Sequence, residues 1–241
     1  MKANKTLEFR LTAGDLDAYD HLTPYTISNL FQEAASLHAE ELNVGYEVMK
    51  EKDLAWIVAR NKITIIDPIN VGKVVKVNTW PLPNGRFDFD REYLLYNEEG
   101  NLIAKGTSKW LVYNLKRNFL CSSKGIMEDI EFETKRNYEE KFEKINYGDL
   151  NDFNLVYEKK INFSDLDHYG HMNNAKYLVV LMDSLNLNKD DLIEEIQVDY
   201  INQGYKDHIL KVYLKKENNI NYLVGKDLDN IIFVIKAKIK E

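Results

Sequence analysis

Hydrophobic positions along the chain fall into two successive series, each a helical stripe followed by strand-like runs. Leu7-Glu8-Phe9-Arg10-Leu11 alternates and predicts a short opening strand. Thr23 and Pro24 then read as an N-cap and a first helical residue, where the missing proline N–H costs nothing. Ile27, Leu30, Phe31, Ala34, Ala35 and His38 follow at helical spacing and predict one long helix to about Leu42. Only strand-like runs are expected after it, at 55–66 and 74–80. Residues 87–96 and 102–113 then form a hairpin across Asn97-Glu98-Glu99-Gly100-Asn101.

The second series is shorter. Asn173 takes the N-cap slot, and Tyr177, Leu178, Leu181, Met182 and Leu185 supply the apolar stripe. Strands are expected at 195–202, 209–216, 220–226 and 231–240. In the last of these, Ile231, Phe233, Ile235, Ala237 and Ile239 share one face. Residues 1–126 and 156–241 read as two α+β domains, each a long helix wrapped by an antiparallel sheet. Residues 127–155, dense in Glu and Lys with little periodicity, read as a linker crossing the surface between them.

The two series also repeat in words. Asp15-Leu16-Asp17-Ala18-Tyr19-Asp20-His21 returns as Asp165-Leu166-Asp167-His168-Tyr169-Gly170-His171 without a gap, just before each helix. Ile69-Asn70-Val71-Gly72 similarly aligns with Ile201-Asn202-Gln203-Gly204. A repeat spaced so widely points to two copies of one domain.

Composition narrows the picture. At 241 residues the chain is long enough for two cores, and no apolar run reaches membrane-spanning length. The start lacks the apolar core of a secretory signal. The lone Cys121 excludes an intramolecular disulfide and suits a reducing cytoplasm. A net charge of −7 argues against nonspecific nucleic-acid binding. Trp56, Trp80 and Trp110 are read as filling the sheet–helix cores.

An Asp-x-x-x-His loop ahead of a sheet-wrapped helix resembles the hotdog fold, and two copies make a double hotdog. The phrases Ala55-Trp56-Ile57-Val58-Ala59-Arg60, Asp67-Pro68-Ile69-Asn70-Val71-Gly72 and Asn78-Thr79-Trp80 resemble the acyl-acyl carrier protein thioesterase family. So do Arg91-Glu92-Tyr93-Leu94-Leu95, Gly106-Thr107-Ser108-Lys109-Trp110 and the loop from Asp165 to Tyr177.

The resemblance implies hydrolysis of a fatty acyl thioester on acyl carrier protein, releasing free fatty acid and holo carrier protein. The first hotdog would hold the acyl chain and the second the reacting groups. The family's aspartate falls on Asp167 and its histidine on His171. Its asparagine falls on Tyr169 and its glutamate on Gln203, so these two positions depart from the pattern. A cysteine once considered a nucleophile falls on Gly204. Asn173 would place the amides of residues 172–175 near the oxyanion.

Asp17 and His21 repeat the Asp…His spacing, so the pair also reads as a device for entering the helix. No cofactor or metal is required. Acyl carrier protein is the expected partner, docking on Lys116-Arg117 or Lys159-Lys160, with Arg86 and Lys124 behind them. The oligomeric state is left open, a homodimer included. An acyl-CoA thioesterase and a non-catalytic acyl-thioester binder are the alternatives.

Overall fold

The computed structural model describes residues 3–128 and 130–240. Asp129, inside the segment read as a linker, lies outside the described residues, as do Met1, Lys2 and Glu241 at the limits of the expected domains. The chain separates into two compact units, Met1–Lys141 and Phe142–Glu241.

The first unit contains β1 (Lys5–Arg10), α1 (Pro24–Glu41), α2 (Tyr46–Glu51), β2 (Leu54–Ile65), β3 (Val74–Pro81), β4 (Asp88–Tyr96), β5 (Leu102–Asn114) and β6 (Phe119–Leu120). Its strands lie in the order β1-β3-β4-β5-β2, every neighbour antiparallel, with β6 added to β5. The expected cap opens α1: Thr23 Oγ1 accepts the Thr26 N–H at 3.0 Å. The helix buries Ile27, Leu30, Phe31, Ala34, Ala35 and His38. Phe31 stacks on Tyr93 at 4.7 Å. Gly106 is what lets that ring lie on the sheet, because a Cβ there would sit 2.7 Å from Phe31 Cε2.

The structure corrects two expectations in this unit. The expectation of strands alone after α1 misses α2, a helix of six residues too short to show a period. Glu40 Oε1 accepts the Tyr46 N–H at its start, at 3.0 Å. Trp80 is buried on the face of the sheet away from α1, where it packs with Leu82 and Leu94. Its register partner Glu92 shares that face, whereas Arg91 reaches His38 on α1 at 3.1 Å.

The segment covering that outer face belongs to the residues read as a linker. Lys135 O accepts from Trp80 Nε1 at 2.9 Å, and the Asn137 N–H donates to Glu92 Oε2 at 3.0 Å. Asn137 Nδ2 donates to the backbone of Tyr93 and Gly106. Burial pushes the Glu92 carboxyl upward, while the hydrogen bonds from Asn137 and Thr107 oppose the rise.

The second unit contains β7 (Asn154–Lys160), α3 (Lys176–Leu185), β8 (Ile193–Tyr200), β9 (Ile209–Glu217), β10 (Ile220–Asp227) and β11 (Asn230–Ile239). Its order, β7-β9-β10-β11-β8, is the first unit's order again, and its pairs are antiparallel. β7 begins inside the segment read as a linker. It pairs only with β9 in this order, and its residues, Leu155 and Val156 among them, are largely exposed.

α3 is ten residues long, not a long helix, and Tyr177, Leu178, Val180 and Leu181 form its buried face. Phe233 is fully buried beneath it, 5.0 Å from the Tyr177 ring. Residues ahead of β7 again cover the outer face: Phe153 packs on Val224 and Val234, and the Ile145 N–H donates to Asp199 Oδ2 at 2.8 Å.

Candidate active site

The loop before α3 is closed by one carboxylate. Asp167 Oδ1 accepts the backbone N–H groups of Tyr169 at 2.9 Å and His171 at 3.1 Å. The Asp167 N–H donates to His171 O at 2.7 Å, and the Gly170 N–H donates to Asp167 O at 3.1 Å. Gly170 takes φ +80°, a conformation glycine adopts without strain.

The first unit builds the same loop. Asp17 Oδ1 accepts from Tyr19 and His21 at 2.8 and 2.9 Å, and Asp20 takes φ 64° at the turn. The Asp…His spacing is thus an architectural device in both units. Asp167 grips the backbone of His171, and its ring has no carboxylate partner among the described residues.

The equivalence of the units is visible in their hydrogen bonds, and it shifts the second sequence alignment. The Ile201 and Asn202 N–H groups both donate to Ile232 O, as those of Ile66 and Asp67 donate to Ile103 O. Ile201 therefore corresponds to Ile66, not Ile69. Apolar-Asn spelling misled the alignment, because strand pairing and not side-chain identity sets the register.

The His171 ring stands edge-on to Tyr205 at 5.3 Å and 82°. The two residues are bridged through the backbone, and the Met172 N–H donates to Gly204 O at 2.9 Å. Gln203 is exposed, and its Oε1 accepts from the Tyr205 hydroxyl at 3.0 Å. Tyr169 is half-buried beside His168, with ring centroids 4.0 Å apart.

Asn173 does not cap α3 directly, because Ala175 holds the cap position. Asn173 Oδ1 accepts the Ala175 N–H at 2.9 Å, and its carbonyl accepts from Lys176, so a turn precedes the helix. This spends most of the amides expected to face an oxyanion. Met172, Asn173 and Ala175 donate within the unit, and among residues 172–175 only the Asn174 N–H takes no partner.

Two residues were not singled out for the site by the sequence: Tyr205, and Tyr177, which the helical stripe assigned to the core. Tyr177 is buried and takes a backbone hydrogen bond from Gly204; burial, with the nearby Asp167 carboxylate adding to it, pushes its hydroxyl far above the ordinary range. It stays protonated at neutral pH. A Cβ on Gly204 would sit 2.9 Å from Ile161 Cδ1 and 3.0 Å from the Tyr177 hydroxyl oxygen. Gly204→Cys is therefore expected to cost about 1–3 kcal/mol by overpacking. A urea midpoint equal to that of the unsubstituted chain would refute the tight fit.

The first unit carries a small cleft, partly open to solvent, between α1 and the sheet. Phe31, Val58, Ile63, Tyr93, Thr107 and Trp110 are among its walls. Among the described residues no helix is long and apolar enough to cross a membrane, and no group of three metal-ligating side chains converges.

Comparison with known proteins places these features. The acyl-ACP thioesterase N-terminal domain matches residues 3–130, and the acyl-ACP thioesterase C-terminal domain matches residues 149–232. A palmitoyl-acyl carrier protein thioesterase of Gossypium hirsutum is 24% identical over 84% of this chain and 52% of its own length. Oleoyl-acyl carrier protein thioesterase 1 of Arabidopsis thaliana is 25% identical over 78% of this chain and 57% of its own. The chain thus spans about half the length of the curated relatives it matches.

Among solved structures, an acyl-ACP thioesterase from Bacteroides thetaiotaomicron superposes with a TM-score of 0.88 at 20% identity, covering 99% of this chain and 98% of that one. The 12:0-ACP thioesterase from Umbellularia californica gives 0.81 at 17% identity, covering 99% and 97%. At these identities the likeness establishes the fold, a tandem pair of hotdogs. With both domain matches in order along it, the chain belongs to the acyl-ACP thioesterase family.

Proposed function

We propose that the chain hydrolyses the thioester of a fatty acyl-acyl carrier protein to free fatty acid and holo carrier protein, ending fatty acid synthesis. The observation that carries this reading is the C-terminal domain match, whose span of 149–232 includes the Asp167–His171 loop and Gln203. In this reading His171 polarises the thioester carbonyl, and the Asn174 N–H stabilises the oxyanion of the tetrahedral intermediate. Asp167 holds the loop in register, and the first unit holds the acyl chain. The reaction needs no cofactor, and the single cysteine favours the cytoplasm as its setting.

Acidic acyl carrier protein would dock on exposed cations. Lys116 and Arg117 are exposed, whereas Lys160 pairs with Asp207 at 2.8 Å and Lys159 with Asp165 at 3.1 Å. The first pair is the better docking site, because its charge is not matched by an ion pair among the described residues. Thiol release from matched acyl-carrier and acyl-CoA substrates tests the reading. A higher kcat/KM on acyl-CoA would make the chain an acyl-CoA thioesterase instead. Tyr169 and Gln203 favour a second reading, a non-catalytic acyl-thioester binder; tight binding without thiol release would establish it.

Gln203→Glu is expected to raise the hydrolytic rate or leave it unchanged, since a carboxylate can take a proton that an amide cannot. A tenfold loss would show that the amide bond to Tyr205 is itself required.

A further inference from the structure

Duplication separates architecture from chemistry. Features that both units share at the loop hold the fold, and features of the second unit's loop without a counterpart are candidates for reaction. The Ile161 N–H donates to His208 O at 2.9 Å, as the Leu11 N–H donates to Lys73 O at 2.8 Å. His208 therefore stands where the first unit has a lysine.

Its Nδ1–H donates to Asp227 Oδ2. Asp227 is buried at 9% exposure, whereas the His208 side chain is 44% exposed. The carboxylate thus fixes the ring from beneath, and Nε2 takes no partner among the described residues. Tyr205 links this pair to the loop, with its ring 5.3 Å from His171 and 5.8 Å from His208.

Hydrolysis needs a group that accepts a proton from water. Gln203 cannot do so, and its Oε1 is occupied by the Tyr205 hydroxyl. Asp167 spends Oδ1 on closing the loop, the same use the first unit makes of Asp17.

We propose that His208, oriented by Asp227, is the general base of the site; this rests on the thioesterase reading above. Nε2 takes a proton as the water oxygen bonds to the thioester carbonyl carbon. When the tetrahedral intermediate collapses, the C–S bond breaks and its electron pair leaves with sulfur. The imidazolium then returns the proton to the thiolate. Thioester and water become carboxylic acid and thiol, with no further reactant.

The test is thiol release from acyl-acyl carrier protein across pH, on the full chain. His208→Ala is expected to lower kcat/KM by about 100-fold or more and to abolish the acid limb of the pH–rate profile. Added imidazole should restore part of the rate. His208→Gln keeps a donor toward Asp227 but cannot carry the proton, and it should be equally slow.

Asp227→Asn removes the carboxylate that orients the ring, so kcat should fall while KM holds. The other groups around His208 are Tyr205 and Asp207, the latter paired with Lys160 of β7 and Lys206. They are unchanged in all these variants. His208→Ala within threefold of the original rate overturns the proposal. So does a slow His208→Ala with an intact acid limb and no imidazole rescue, or a fast His208→Gln. A chain that releases no thiol from any acyl-carrier or acyl-CoA substrate overturns both this proposal and the thioesterase reading.

Discussion

His171→Ala is expected to lower kcat/KM for thioester hydrolysis by about 100- to 1000-fold, the usual cost of losing a group that stabilises the developing oxyanion. The loss should fall on kcat more than on KM, because the interaction strengthens only as charge forms on the carbonyl oxygen. Stability should change by no more than about 0.5 kcal/mol. The loop is closed through the His171 N–H and C=O, which alanine retains, while the ring makes only an edge contact with Tyr205. Near-normal turnover would remove His171 from the mechanism. A large loss of stability would instead make its role structural.

Phe233→Ala should cost about 3–5 kcal/mol, the range for emptying an aromatic site that cannot collapse. Phe233 is fully buried, and its ring lies against Gly225, where a Cβ would come within 2.1 Å of Cε1. The same ring meets Tyr177 at 5.0 Å. Tyr177 in turn is hydrogen-bonded at Gly204, beneath the loop. Activity should therefore fall with stability, and Phe233→Leu should recover part of both. Urea unfolding read by fluorescence and by circular dichroism gives the midpoint and shows whether one transition describes both units. A midpoint shift equivalent to less than 1 kcal/mol would mean the site repacks.

Most of the secondary structure was legible because it rests on local chemistry. Thr23 and Pro24 mark the start of α1, and Leu42 ends it. The alternation of Ile231, Phe233 and Ile235 locates β11. What escaped lacks a local signature. β7 is a largely exposed strand of mixed character with a single neighbour in its sheet, α2 is a turn and a half, and Trp80 is equally apolar whichever face it occupies.

The site divides the same way. The Asp167–His171 spacing is visible as text, but its duplication leaves open whether it is scaffold or chemistry. His208, just ahead of β9, and Asp227, the last residue of β10, lie 19 residues apart. Only the pairing of β9 with β10 brings them together, and no spacing rule would select them. The shift from Asn173 to Ala175 at the head of α3 escaped for another reason. An asparagine that turns the chain and one that caps a helix use the same side-chain oxygen.

The stretch that roofs each sheet has a practical corollary. Trp80 and Glu92 are covered by residues 135 and 137, and Val224 and Val234 by Phe153, so the division at Lys141–Phe142 falls between the two roofs. A protease cleaving there would bare neither apolar face. The nicked halves would each keep the stretch that covers their own sheet.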